Sequence, residues 1–255
     1  MVTIEAKSLS KEFSQQKNNE SNLKVLEDIS FRVEDGEFVA FFGPNGCGKT
    51  TLLNILAGIE KPSSGKVLIN GREGELSKIG FVFQNYNESM LPWRTVTGNI
   101  GLALEIQGKS REESDSVIGH LVRKAGLIEH RDKYFYELSG GLKQLTAICR
   151  AFAYDPEVLF MDEPFSSLDY STSRRMGLEL LNIWKETRKT TLFVSHDIDE
   201  AIFLADKVIV LSKRPAGIKK VVDVRLPRPR TLDMLSSNRF FEIRNRILEL
   251  FEYEK

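Results

Sequence analysis

Residues 43–50 read Gly-Pro-Asn-Gly-Cys-Gly-Lys-Thr and follow an apolar run, Phe38 to Phe42. The spacing fits G-x-x-x-x-G-K-[ST], a loop that binds phosphate. Its glycines Gly43, Gly46 and Gly48 let the backbone wrap closely round an anion, with N–H groups pointing inward. Pro44, Asn45 and Cys47 fill the variable positions. Lys49 adds a point charge for the β- and γ-phosphates, and the Thr50 hydroxyl can ligate Mg²⁺. A helix expected from about Lys49 to Leu56, with Thr51 in its first turn, aims its positive N-terminal end at the same anion. A second stretch, Val158-Leu159-Phe160-Met161-Asp162-Glu163, is an apolar strand ending in two acids. Beside a phosphate loop, Asp162 is placed to bind the metal, directly or through water. Glu163 is placed to polarise an attacking water as general base. A third stretch, Leu138-Ser139-Gly140-Gly141-Leu142-Lys143-Gln144, offers Ser139 as a helix cap and two glycines whose N–H groups can face an anion.

These groups need a scaffold, and the patterning supplies one. The first 84 residues read mainly as strands: Ile4 to Leu9, Val25 to Val33, Phe38 to Phe42, Lys66 to Ile69 and Ile79 to Phe83. Turn signals separate them at 34–36, 62–65 and 70–71. Residues 15–22 read as a polar loop. From about Asn85 to Tyr154 the period becomes helical, with Ile100, Leu104 and Gln107, then Val117, Leu121 and Ala125, on amphipathic faces. Strands at Val158 to Met161 and Thr191 to Val194 flank a helix over Ser171 to Thr187. Strand–helix–strand order argues for a parallel sheet. The phosphate loop, Asp162–Glu163 and His196 all fall at carboxyl ends of such strands, where ligands bind. There is no internal repeat.

Composition narrows the function classes. At 255 residues and 41% hydrophobic, the chain can bury a core. Lys+Arg and Asp+Glu are both 36, so nucleic-acid binding is not favoured as the main activity. Cys47 and Cys149 form no ligand pair, and a disulfide at Cys47 would deform the loop, which fits a reducing cytosol. No apolar run approaches the ~18 residues of a spanning helix, and the N-terminus lacks a signal-peptide pattern. If the protein serves transport, other chains must form the pore. His120 and His130 lack matching ligands and read as helix-face or loop residues. Cys149 reads as core, and Trp184 as core or interface.

Together, the phosphate loop and the Ser139–Gly141 stretch are the signature of the ATP-binding-cassette superfamily, which the chain resembles over nearly its full length. The family's pattern is Leu-Ser-Gly-Gly-Gln; this chain has Leu142 in the Gln position. The resemblance implies a P-loop NTPase core with a mainly parallel sheet, an N-terminal antiparallel β subdomain and an inserted helical signature subdomain at about 85–154. Residues 1–230 would form the ATPase domain and 231–255 a C-terminal helical extension. Gln84 is similar to the Gln-loop residue that contacts Mg²⁺ and the attacking water. Ser166-Ser167-Leu168-Asp169 resembles the D-loop, and His196 the switch histidine at the γ-phosphate. Phe13 stands where the family stacks an aromatic on adenine; a core or edge Phe is the alternative. The resemblance thus implies catalysis by Glu163, His196 and Gln84, with Mg²⁺ on Thr50, Gln84 and Asp162. ATP would be held by Phe13, the loop from Gly43 to Thr51, and Ser139, Gly140 and Gly141. In the family the last three serve the opposite subunit of a head-to-tail dimer.

Leu91-Pro92-Trp93-Arg94-Thr95-Val96 and Leu226-Pro227-Arg228-Pro229-Arg230 resemble elements of the nitrate, sulfonate, taurine and thiamine-precursor importer group. The implied assembly is a homodimer or paired cassette, peripheral on the inner face of the cell membrane, with permease subunits and an extracytoplasmic solute-binding protein. Met90 to Asn99 would then contact the permease, with a simple packed loop as the alternative. An exporter cassette or a non-transport cassette is the nearest rival. A P-loop kinase is disfavoured by Ser139–Gly141. Phe240, Ile243, Ile247, Leu250 and Phe251 share one helical face, which packs either on the core or on a partner.

Overall fold

The computed structural model describes residues 2–14, 22–74 and 78–252; most of the polar stretch expected at 15–22 lies outside the described residues. In chain order the elements are β1 (Ile4–Phe13), β2 (Leu23–Val33), β3 (Phe38–Phe42), α1 (Lys49–Leu56), β4 (Ser64–Ile69), β5 (Arg72–Glu73) and β6 (Ile79–Val82). Next come α2 (Tyr86–Ser89), α3 (Val96–Ile106), α4 (Arg111–Lys124), α5 (Gly140–Ala153), β7 (Val158–Asp162) and α6 (Tyr170–Thr187). The chain closes with β8 (Thr190–Ser195), α7 (Ile198–Leu204), β9 (Lys207–Leu211), β10 (Ile218–Asp223) and α8 (Asn238–Glu252). The chain divides into two compact units, residues 1–77 with 190–255, and residues 78–189.

The first unit holds two sheets. One is antiparallel in the order β2-β1-β4-β5, as the alternating N-terminal patterns predict. Its inward side chains, among them Ile4, Leu9, Ile29 and Val33, have no exposure. In the other, β3 runs parallel to both β8 and β9, and β10 pairs antiparallel with β9. All five residues of β3 and all six of β8 are buried. Continuous Val/Phe runs are what a parallel strand covered on both faces requires. The C-terminal helix packs on this unit's own core. Phe240, Ile243 and Ile247 are buried, and the Phe251 ring meets Phe42 edge-on at 5.6 Å. Arg244 donates to Asp199 at 2.8 Å, tying α8 to α7.

The second unit pairs β6 and β7 in parallel register, Ile79 opposite Val158 and Val82 opposite Met161. Helix starts follow capping rules: Thr95 accepts from the Gly98 N–H, and Ser110 forms a capping box with Glu113. Trp184 is fully buried, and its indole N–H donates to the Lys189 carbonyl at 2.7 Å. The expected face of α4 holds for Leu121 and Ala125, but Val117 is exposed. It lies one turn before Leu121, toward the solvated start of α4. No described helix is long and apolar enough to cross a membrane.

Candidate active site

In the first unit, β3 delivers the chain into the 43–50 loop and α1 begins at Lys49, as expected. Gly48 adopts φ +120, and a Cβ there would sit 2.7 Å from Val25 Cγ1. Only glycine fits that conformation and that approach. The buried Lys49 ammonium donates to the Gly43 and Pro44 carbonyls at 3.0 and 3.1 Å. Asn45, Gly46 and Thr50 are exposed, Pro44 and Thr51 half-buried, and Gly43 and Cys47 buried. Burial pushes the Cys47 thiol up in pKa, against the pull of Lys49. A cavity of about 310 Å³ is lined by Pro44, Asn45, Gly46, Cys47, Lys213 and Arg214.

His196 stands exposed one residue past β8. The turn beneath it is rigid. Ser195 donates to Glu200 at 2.6 Å, and Asp197 caps α7 by accepting from the Asp199 and Glu200 N–H groups. Phe13 ends β1 with its ring 38% exposed and Lys11 Nζ 4.8 Å from its centroid. This ring is at the surface at the end of β1, so the core alternative is removed.

In the second unit, the parallel register decides the acid site. Continuing it past Val82 and Met161 sets Phe83 level with Asp162 and Gln84 level with Glu163. Accordingly the Gln84 amide donates to the Glu163 carboxylate at 3.3 Å. The strand β6 ends two residues before Gln84, so Gln84 lies in the following loop rather than on the strand end. Asp162 is only 6% exposed and lines a cavity of about 370 Å³ with Phe83, Gln84, Asn85 and Ser89. Glu163 holds φ +44, a left-handed conformation rare for a non-glycine residue. Its carbonyl accepts from the Ser166 N–H and hydroxyl, which fixes the turn.

Ser139 is the residue before α5, but its side chain makes no capping hydrogen bond, contrary to the expectation of a cap. Helix α5 instead starts on the bond from the Lys143 N–H to the Ser139 carbonyl at 3.0 Å. The exposed hydroxyl is therefore not consumed by the helix, which suits a residue facing a ligand. Gly140 is half-buried and Gly141 buried. Leu142 is half-buried, and its backbone carbonyl accepts from the Thr146 hydroxyl at 2.7 Å. Asp169 caps α6, and its bonds from Thr172 and Ser171 hold its carboxyl below the usual range.

Three groups were not legible as such. Asn99 has no exposure and ties down the 91–95 segment: it accepts from Leu91 N–H and donates to the Leu91, Arg94 and Thr95 carbonyls. Its signal was present, since it occupies a slot in the apolar stripe Val96, Ile100, Ala103, Leu104. Trp93, at the tip it anchors, is 69% exposed. Arg228 and Arg230 both reach Asp206, and they also donate to the Leu204 and Ala205 carbonyls. Burial lowers the Arg230 pKa to about 10. Arg214 donates to the Gly46 carbonyl of the phosphate loop. His120 does have a partner, Glu186 at 2.8 Å, and Cys149 is buried core with its thiol pushed up to about 12.

The sequence profile described as ABC transporter matches residues 26–166. An uncharacterized ABC transporter ATP-binding protein of Methanocaldococcus jannaschii is 43% identical over 92% of this chain and 87% of its own. The aliphatic sulfonates import ATP-binding protein SsuB of Bacillus cereus is 40% identical over 99% of this chain and 97% of its own. The nitrate import ATP-binding protein NrtC of Synechococcus elongatus is 39% identical over 91% of this chain, which spans 36% of that longer protein. Among solved structures, a dimeric post-hydrolysis ATP-binding cassette bound to ADP and Pi superposes with TM-score 0.73 at 28% identity, covering 88% of this chain and all of that one.

Proposed function

The chain belongs to the ABC transporter family and is an ATPase of the P-loop NTPase fold, and on that premise we propose that it is the nucleotide-hydrolysing subunit of an importer for a small anionic solute of the sulfonate or nitrate kind. ATP-driven closure of a head-to-tail dimer would be passed to separate permease subunits, and hydrolysis would reopen it. The chain would sit peripherally at the inner face of the membrane, supplied with solute by an extracytoplasmic binding protein. The name of the sulfonate importer relative, matched over nearly its whole length, and that of the nitrate importer relative, matched over part of its length, support the importer reading.

The observation that carries the chemistry is the Gln84–Glu163 bond at 3.3 Å beside the buried Asp162 carboxylate. Loop 43–50 binds the ATP phosphates through its N–H groups and Lys49, and Phe13 offers its exposed ring to adenine. The donors assigned to a metal are all hard oxygens: the Asp162 carboxylate, the Gln84 amide carbonyl and the Thr50 hydroxyl. Donors of that kind suit Mg²⁺. Mg²⁺ would neutralise charge on the β- and γ-phosphates. Glu163 takes a proton from water as the water oxygen bonds to the γ-phosphorus and the bond to the bridging oxygen breaks. Gln84 holds both the carboxylate and the water. His196 contacts the γ-phosphate, and Ser139, Gly140 and Gly141 complete the site of the opposite subunit.

The test is reconstitution with a candidate permease and a sulfonate- or nitrate-type binding protein. ATPase activity in proteoliposomes should rise when the binding protein carries its sulfonate or nitrate, with uptake of the labelled solute. Solute efflux in place of uptake, or no response to the loaded binding protein, overturns the importer reading.

A further inference from the structure

We propose that Arg214 is a positioning residue for phosphate binding, acting through the Gly46 carbonyl rather than on the nucleotide itself. The inference rests on the assignment of residues 43–50 to phosphate.

A phosphate loop works only if its peptide planes are turned with N–H groups inward and carbonyls outward. A peptide plane next to a glycine is the weak point, because glycine accepts both signs of φ at little cost. Gly46 is such a residue: it holds φ +72 and is exposed. If the Gly46–Cys47 peptide turned its carbonyl toward the anion, it would repel it.

The structure supplies holders for the Gly43, Pro44 and Gly46 carbonyls of this segment. Lys49 donates to Gly43 and Pro44 at 3.0 and 3.1 Å. The Cys47 N–H, on the same peptide plane as the Gly46 carbonyl, donates to Pro44 at 3.3 Å. The Gly46 carbonyl is taken by the Arg214 guanidinium. A charge-assisted bond is stronger than a neutral one, and a guanidinium cannot lose its proton near neutral pH. Arg214 lies in the connection between β9 and β10, whose own turn is closed by Ser212 N–H to Gly217 O at 2.9 Å and Gly217 N–H to Ser212 Oγ at 2.9 Å. The connection is tied to β2 of the antiparallel sheet as well, since Ala216 N–H donates to Val25 O and Glu27 N–H to Ala216 O, both at 2.9 Å. So the cation is presented from a fixed edge, and it lines the same 310 Å³ cavity as Pro44, Asn45, Gly46 and Cys47.

The experiment measures ADP affinity by calorimetry and ATPase kinetics on the full chain for wild type, Arg214→Ala, Arg214→Lys and Lys49→Ala. Loss of one charge-assisted bond predicts about a fivefold rise in the ADP Kd for Arg214→Ala. KM for ATP should rise in parallel while kcat at saturation changes less than about twofold, the pattern of lost uniform binding. Arg214→Lys, which keeps a cationic donor, should recover most of the affinity. A merely structural role in the hairpin would lower the amount of folded protein and leave the Kd of the folded fraction unchanged. An unchanged Kd in Arg214→Ala overturns the proposal, and so does an equal loss in Arg214→Lys and Arg214→Ala. If Lys49→Ala binds ADP as tightly as wild type, the phosphate assignment of the loop fails instead.

Discussion

The Gln84 amide donates to the Glu163 carboxylate at 3.3 Å because two parallel strands end in register, Val82 opposite Met161. The bond comes from a neutral amide donor and orients the Glu163 carboxylate proposed as the base. Glu163→Gln preserves the shape and removes the base. It should bind ATP, hydrolyse it at least about 100-fold more slowly and accumulate as an ATP-bound dimer. Single-turnover kinetics with size-exclusion light scattering checks both halves, and wild-type turnover would remove Glu163 from the base role. Gln84→Ala, which loses the orienting bond together with the metal and water contacts proposed for this amide, should cost at least about tenfold in kcat.

Glu163 also sits at φ +44, a conformation that costs a non-glycine residue about 1 kcal/mol or more. If Glu163 is the base, the strain held there should be relieved when function is given up. Glu163→Gly is therefore expected to abolish hydrolysis while leaving stability equal or raised by up to about 1 kcal/mol. Urea unfolding of the two proteins measures it. A clear loss of stability would mean that the carboxylate holds the fold together rather than serving the reaction.

Asn99 predicts a different kind of defect. It is fully buried, and its amide makes four hydrogen bonds to the backbone of Leu91, Arg94 and Thr95. Asn99→Leu fills the space but strands those groups, which should cost about 2–4 kcal/mol in urea unfolding. It should also loosen Trp93, visible as a shift in tryptophan fluorescence anisotropy, since the other tryptophan, Trp184, is locked in the core. Unchanged stability would show that the segment does not depend on this anchor.

How much of this was legible beforehand follows from the range of each interaction. Loop 43–50 and the helix Lys49–Leu56 were readable because strand, glycine spacing and helix start are all local. The β3, β7 and β8 strands were readable because double-sided burial leaves continuous apolar runs. Gln84 facing Glu163 was not readable from the residues alone, since it depends on the register of strands distant in sequence. Arg214 reaching Gly46 was hidden for the same reason. Asn99 was hidden because a polar residue in an apolar stripe looks like an interruption until its four partners are seen. Ser139 reads locally as a cap, yet its hydroxyl makes no capping bond; the local rule gives way at a position assigned to a ligand.

Asp169 carries a pH dependence. Its bonds from Thr172 and Ser171 hold the folded-state pKa below the ordinary Asp value of about 3.9. A depressed folded pKa means that this cap contributes stability above that ordinary value, and that the contribution is lost as pH falls through the folded pKa. Asp169→Asn keeps a capping oxygen at every pH but does not titrate. The stability of wild type relative to this variant should be constant from about pH 7 to 5 and fall below about pH 4. Denaturant unfolding across that range reads it directly, and a flat difference down to pH 2.5 would show that the cap is not charge-dependent.

The last prediction concerns the sharing of sites between subunits. Ser139 is exposed, precedes α5 and does not use its hydroxyl to cap it, so a large side chain there should leave the fold intact. If Ser139 serves the opposite subunit's ATP, Ser139→Arg should keep the nucleotide affinity of the monomer within about twofold. It should lose dimerisation and hydrolysis, because the added side chain occupies the phosphate-facing surface. Lys49→Ala carries the complementary defect in the loop of its own subunit. In a head-to-tail pair of the two variants, one site collects both lesions and the other collects neither. Mixing should then restore part of the hydrolysis that each variant alone lacks, up to about half if one intact site suffices. Heterodimers are verified first by differential tagging, so that silence cannot be ascribed to failed pairing. A sole Ser139→Arg preparation that hydrolyses ATP at the wild-type rate would refute the shared site, because its own loop would then be sufficient. Recovery on mixing, with neither variant active alone, is the outcome that only a site built from two subunits produces.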